Sequence, residues 1–263
     1  MPSAADILNA KTPLPVRMTS EQWARMSPEL TVRSIFGALV DDLATLLKIR
    51  QQAAAILTGG ASKTEARHAI TDMLDAIGYT PEPGDEGTIR DLSGTARKNL
   101  ILETQTTQAA SRAQAEAYRG SLAFPAYRLV RMGERTQPRD WPLRWRIAYG
   151  AVGGAGASAT EMVALTTSPI WAALSRWGSD YAPYDYNSGM DRIPVAWEEA
   201  AALGLMDAAA YNSLDTARNT PPEPLSLEAT LPDLPPDLRD QATALMDGLA
   251  MWDGDTLTFT GNN

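Results

Sequence analysis

The sequence contains no cysteine and a single histidine in 263 residues. Without cysteine there is no disulfide framework and no thiolate metal site. No metal and no cofactor is expected. No apolar run approaches the roughly 18 residues of a membrane-spanning helix, so no membrane partner is expected either. The opening residues Met1-Pro2-Ser3-Ala4-Ala5-Asp6 lack a basic patch followed by an apolar core. A secretory signal is not expected on that ground, and synthesis in a cytoplasm is. Internal repeats are lacking as well. What the chain does have is 44% hydrophobic residues and an ordinary 21% of charged ones. That is enough apolar surface for one or two domains, and too much for wholesale disorder.

The formal net charge of −9 is unevenly spread. Between Thr220 and Asn263 eight acids face one base, Arg239. Between Arg112 and Arg146 eight arginines face three acids. A near-neutral body thus carries a basic middle and an acidic end, a division that fits two different partners or one face folding onto another.

The first half reads as helical. From Pro28 to Leu57 apolar residues (Val32, Phe36, Leu39, Val40, Leu43, Leu46, Leu47, Ile56) recur at three- and four-residue steps, which predicts one helix stopped by Gly59-Gly60. Ser62-Lys63-Thr64-Glu65 has the form of a capping box before a second helix that ends at Gly78. A third is expected from near Ser93 to Arg119, ending at Gly120, with a polar, alanine-rich second half expected to be partly exposed or packed against another chain. Tyr127 to Met132 alternates as a short strand. An arginine- and proline-rich loop follows, from Glu134 to Trp141, then a glycine-rich flexible stretch from Tyr149 to Ser158. Ser168-Pro169 starts a short helix reaching Trp177, Tyr181 to Met190 is turn-rich and aromatic, and a small helix runs from Ala196 to Leu203. Pro221-Pro222-Glu223-Pro224 and Pro235-Pro236 mark an extended linker, followed by a helix from Leu238 to Met251 and a strand-like Thr256 to Thr260. The expected class is α+β. A mainly helical region (1–120) precedes a small mixed α/β domain with long loops (121–219) and an extended, acidic, proline-rich tail (220–263).

Little of this points to catalysis. His68 falls on the polar side of its helix, without a partner or cleft, and reads as a surface residue. Gly153-Gly154-Ala155-Gly156 is not bracketed by a strand and helix, so it reads as a loop and not as a phosphate cradle. Asp41-Asp42 and Glu198-Glu199 read as solvated helix faces. The arginines Arg112, Arg119, Arg128, Arg131, Arg139, Arg144 and Arg146 carry more weight. They are interleaved with Tyr118, Tyr127, Trp141 and Trp145, and arginine pairs with phosphates or carboxylates and stacks on aromatics. DNA, an acidic protein surface and the chain's own acidic end all fit such a stretch. The tryptophans Trp141, Trp145, Trp171, Trp177 and Trp197 read as core or loop anchors of the second domain.

Two loops resemble motifs of a known family. Arg135-Thr136-Gln137-Pro138-Arg139-Asp140, just after a strand, resembles the "RTRPxH" loop of the phage Mu F-like minor head proteins. Pro183-Tyr184-Asp185-Tyr186-Asn187-Ser188-Gly189-Met190 resembles the family's "PPNGFNCRC" segment, and more closely the "YPPFDFNSGM" pattern of a branch found in Mu-like prophages. Ser168-Pro169-Ile170-Trp171 is similar to that branch's "DPIW". The family's histidine falls at Asp140 and its cysteines at Ser188 and Met190, so no metal or thiol role carries over.

The resemblance implies a non-enzymatic phage head-morphogenesis protein in which Arg135, Thr136, Pro138, Pro183, Tyr186 and Asn187 fix two loops against each other. Its partners would be the portal protein and other head proteins, with packaged DNA as a further one and no small-molecule substrate. Its place would be the virion, in the capsid interior or portal vicinity. The alternatives are a DNA-binding module, or a hydrolase or transferase domain attached to the virion.

Overall fold

A computed structural model describes residues 1–26, 28–133, 138–221, 228–230, 234–246 and 250–259. In chain order the elements begin α1 (Ala4–Asn9), β1 (Thr12–Pro13), α2 (Ser20–Trp23), α3 (Pro28–Arg33), β2 (Ser34–Ile35), α4 (Leu43–Thr58), α5 (Lys63–Ala76) and α6 (Thr95–Ala117). They continue with β3 (Ala126–Arg131), α7 (Trp141–Ala151), β4 (Val163–Leu165), α8 (Ile170–Leu174), β5 (Met190–Val195), α9 (Trp197–Ala202) and α10 (Ala208–Asn219). Last come β6 (Glu228–Thr230), α11 (Pro236–Leu245), β7 (Ala250–Asp253) and β8 (Thr256–Phe259). The fold is mixed α/β, with helices around small sheets. The chain forms two compact units, one made of 2–110 with 225–263 and the other essentially of 111–224.

In the first unit the helix starts are written locally. Ser3/Asp6, Thr19/Gln22 and Ser62/Glu65 each form a reciprocal capping box at the N-termini of α1, α2 and α5, which satisfies backbone donors that a helix start leaves open. Gly59 ends α4 at φ 75°, in the left-handed region glycine enters without cost. The expected single helix from Pro28 to Leu57 is instead broken in two. Ser34–Ile35 leaves the helix to pair in parallel with Thr12–Pro13, and Asp42 restarts it by accepting from the Thr45 N–H at 2.6 Å. The apolar rhythm runs across the break because Phe36 and Val40 are buried from the connecting loop, with Phe36 stacked on Trp23 at 4.1 Å.

The polar second half of α6 is partly exposed, as expected, but it also carries a buried polar set. Gln105, Thr106, Gln108, Ser111 and Arg112 are all buried. In the first unit the reason is Lys11, itself 2% exposed, whose ammonium donates to Gln105 Oε1 at 3.0 Å and to Gln108 Oε1. A buried cation needs such acceptors. The acidic C-terminal segment is more than an extended tail, since its described residues hold α11 and the antiparallel sheet β6-β8-β7. The helix there ends at Leu245, short of the expected Met251, which lies in β7.

The second unit is built on the antiparallel sheet β4-β3-β5. Tyr127 and Leu129 of β3 face inward onto a core with Trp141, Trp145, Trp171 and Tyr184. Trp171 sits among Tyr127, Trp145 and Tyr184 at ring separations of 5.6–6.1 Å, within the range where aromatic pairs add to simple burial. Its indole N–H donates to the Leu165 carbonyl, and that of Trp145 to Ser158. Trp197 is the exception among the five, 40% exposed.

Part of the stretch expected as loop is helix α7. Asp140 caps it by accepting from the Leu143 N–H, and Pro142 stands in its first turn, where proline lacks no needed donor. The predicted helix from Ser168 stops at Leu174, three residues before Trp177. Gly120, at φ 61°, admits α10: a Cβ there would lie 2.4 Å from the Leu214 carbonyl oxygen. No described helix is long and apolar enough to cross a membrane.

Candidate functional site

Two places in the second unit gather charged side chains. The first is Asp185, in the turn-rich segment after the cis peptide Ala182–Pro183. Its side chain is 6% exposed and three guanidinium groups surround it: Arg144 Nη2 at 3.0 Å, Arg139 Nε at 3.4 Å and Arg176 Nη1 at 3.8 Å. Asp185 also accepts from the Tyr186 N–H at 2.9 Å. Arg139 does a second job. Its Nη2 donates to the Tyr186 carbonyl at 2.9 Å and its Nη1 reaches the Asn187 carbonyl at 3.4 Å. Asn187 turns the chain at φ 50°, a conformation asparagine adopts more readily than most residues. The Met132 N–H at the end of β3 donates to the Gly189 carbonyl at 2.8 Å, tying the strand to the same turn. Ring contacts close the knot: Arg144 over Trp141, Arg176 over Tyr186, and Trp177 edge-on to Tyr186.

One segment of each resembling motif is thus joined to the other through Arg139. Arg135 and Thr136 lie outside the described residues, Pro138 is exposed, and Pro183 is buried. The residue that sequence reasoning assigned to partner binding, Arg139, therefore braces the loop. The carboxylate it leans on, Asp185, was readable only as one letter of the motif.

The other predicted arginines scatter. Arg128 pairs with Glu199 at 2.6 Å and stands 3.8 Å from Glu161. Arg119 pairs with Glu116 and donates to the Pro221 carbonyl. Arg112 is buried, and Arg131 and Arg146 are exposed on the surface. Among the described residues of the stretch the arginines are divided between ion pairs, a buried position and the open surface. His68 is exposed on α5. Asp42 is the α4 cap, and Gly153, Gly154 and Gly156 turn the chain after α7. Among the described residues no three His, Cys, Asp or Glu side chains are grouped to hold a metal ion.

The second place is a cavity of about 320 Å³, whose walls include Arg112, Arg119, Tyr127, Thr166, Tyr181 and Arg192. Arg192, on β5, is 2% exposed. The strand is inverted there, with Arg192 inside and Ile193 outside. Arg192 Nη1 donates to the Asp180 carbonyl, and its guanidinium lies 4.2 Å from the centre of the Tyr127 ring and 5.6 Å from that of Trp171. Its Nε and Nη2, the Thr166 hydroxyl and the Tyr181 hydroxyl are buried with no hydrogen-bond partner among the described residues. Each such group costs about 1–3 kcal/mol while it stays unsatisfied. Burial pushes the Tyr127 phenol up to about 12 and holds Tyr181 higher still. Sequence reasoning singled out Arg112 and Arg119 of this lining but missed Thr166, Tyr181 and Arg192. The one local signal was an arginine alternating with Met190 on the inward face of a strand.

Comparison of the chain with protein-family models, with curated proteins and with solved structures gave no match.

Proposed function

We propose that this chain is a non-catalytic phage minor head, or head-morphogenesis, protein that associates with the portal and other head proteins during prohead assembly or genome delivery. The reading rests on the resemblance of two ordered segments to the Mu F-like motifs. The observation that supports it most is the Arg139 brace, which joins those segments through Asp185, Tyr186 and Asn187. A motif whose residues are spent on holding two loops together fits a scaffold for binding. The helices of the first unit would supply further contact surface, and the virion would be the protein's place.

Direct DNA binding is the weaker companion of this reading. Four of the seven singled-out arginines, Arg119, Arg128, Arg139 and Arg144, pair with the protein's own carboxylates, and Arg112 is buried. Arg131 and Arg146 remain as exposed contacts for phosphate. Each phosphate neutralised steepens the fall of log K with log salt by about 0.9. Two contacts therefore predict a slope near −2, whereas a dedicated DNA-binding module would show about −6 or steeper. The head-protein reading is tested by quantitative mass spectrometry of purified, fractionated virions. The chain is expected in a few copies per particle; its absence from particles that contain portal and capsid protein would overturn the reading.

A further inference from the structure

Three residues that line the cavity beside β3 and β5 carry four buried polar atoms without a hydrogen-bond partner among the described residues. Arg192 spends Nη1 on the Asp180 carbonyl, while Tyr127 and Trp171 cover the guanidinium. The two nitrogens without a partner, Nε and Nη2, present one N–H each along the same edge of the guanidinium. That edge is the side-on fork with which arginine takes two oxygens at once. Thr166 Oγ1 and Tyr181 OH, equally buried and without a partner among the described residues, belong to the same cavity wall. Burial keeps the Tyr181 phenol protonated, so it is available as a donor. Arg112 and Arg119 against Glu116 and Asp180, with Arg192 added, leave the lining net positive.

Buried polar groups in native proteins are paired with very few exceptions. A cavity that concentrates several unpaired ones around a cationic fork is built for an acceptor that is itself an anion. A planar carboxylate would be matched by the fork alone. The two hydroxyls on residues of the same lining call for the further oxygens of a tetrahedral group. We propose that this cavity binds a phosphoryl group, with two oxygens on the Arg192 fork and a third within reach of the Thr166 and Tyr181 hydroxyls. The volume of about 320 Å³ lies at the lower end of the range for small-ligand sites, so it admits a phosphate with a small substituent. That substituent is either a free ester or the terminal nucleotide of a nucleic-acid strand. The site is independent of the head-protein reading.

The test is calorimetric titration of the full chain at low ionic strength with inorganic phosphate, sodium acetate, and a trinucleotide with and without a 5′-phosphate. Saturable binding of inorganic phosphate at one site per chain is expected, with acetate at least tenfold weaker. Thr166→Val, which keeps the shape and removes the hydroxyl, should weaken phosphate about tenfold. Arg192→Lys, which keeps the charge and removes the fork, should weaken it at least as much. If the lysine variant does not fold, Thr166→Val decides. Tighter binding of the 5′-phosphorylated trinucleotide than of inorganic phosphate would support the proposal and assign the site to strand ends; equal or weaker binding, with phosphate retained, would support it for small free phosphates. No saturable phosphate binding, acetate binding as tight as phosphate, or equal affinity in wild type and Thr166→Val would overturn it.

Discussion

Asp185 and Arg192 are near mirror images. Each is a charged side chain almost wholly buried in the second unit, and each borders the aromatic core that holds Trp171 and Tyr184. Asp185 has three guanidinium groups within 4 Å and a backbone N–H besides. Arg192 has one carbonyl and two ring faces, and no carboxylate paired with it among the described residues. A buried charge with a full set of partners holds a fold together, whereas one without them costs stability and is retained for something else. The first site reads as a clamp, the second as a place for a ligand.

The widest break in the comparison would come from the core that serves both sites. Trp171→Ala should cost about 3–5 kcal/mol, read as a lower urea midpoint for the full chain, because it removes the ring beside both Tyr184 and Arg192. Asp185→Asn isolates the clamp. It leaves three guanidinium groups facing an uncharged amide, and after allowance for the partial exposure of those arginines the loss should be about 2–3 kcal/mol. Arg192→Met makes the opposite case, replacing an under-partnered cation by an apolar chain of similar length. Unfolding without added phosphate should be unchanged or shifted to higher denaturant, by up to about 2 kcal/mol. A loss as large as that of Asp185→Asn would erase the distinction.

The smallest effect concerns pH. Burial raises the Asp191 carboxyl above its usual range, opposed by the Arg192 N–H, the Arg192 charge and a hydrogen bond from Ser111. The folded state then holds the proton more tightly than the unfolded chain, so this group's contribution falls as pH rises from the ordinary carboxylate range through the raised folded value. Asp191→Asn should therefore stabilise slightly at pH 7 and give no gain at pH 3, as thermal unfolding at the two values would show.

What could be read ahead of the structure was local. Capping of α5 by Ser62 and Glu65, and the turns at Gly59, Gly78 and Gly120, are decided by residues within one helical turn of each other. The break between α3 and α4 was not legible, because Phe36 and Val40 keep the helical rhythm while the backbone leaves it to pair with Thr12–Pro13. α7 went unread because it lies between two stretches expected as loop, Glu134 to Trp141 and Tyr149 to Ser158, and Asp140 was not seen as its cap. Strand β4 is too short to announce itself, and β5, as long as β3, carries its polarity inside out. The motif segments were legible in order, but their brace is Arg139 and Asp185, 46 positions apart. The cavity draws Arg112, Thr166, Tyr181 and Arg192 from four separate segments, so only the folded chain brings it into view.

The proposed head-protein role is measured most directly by co-purification with a candidate portal protein encoded near this chain. The two proteins would be co-expressed, the portal tagged, and the pull-down resolved by size-exclusion chromatography. This chain is expected to stay with the portal oligomer through both steps. Elution of a folded chain alone, with the portal assembled and empty-handed, would contradict that role.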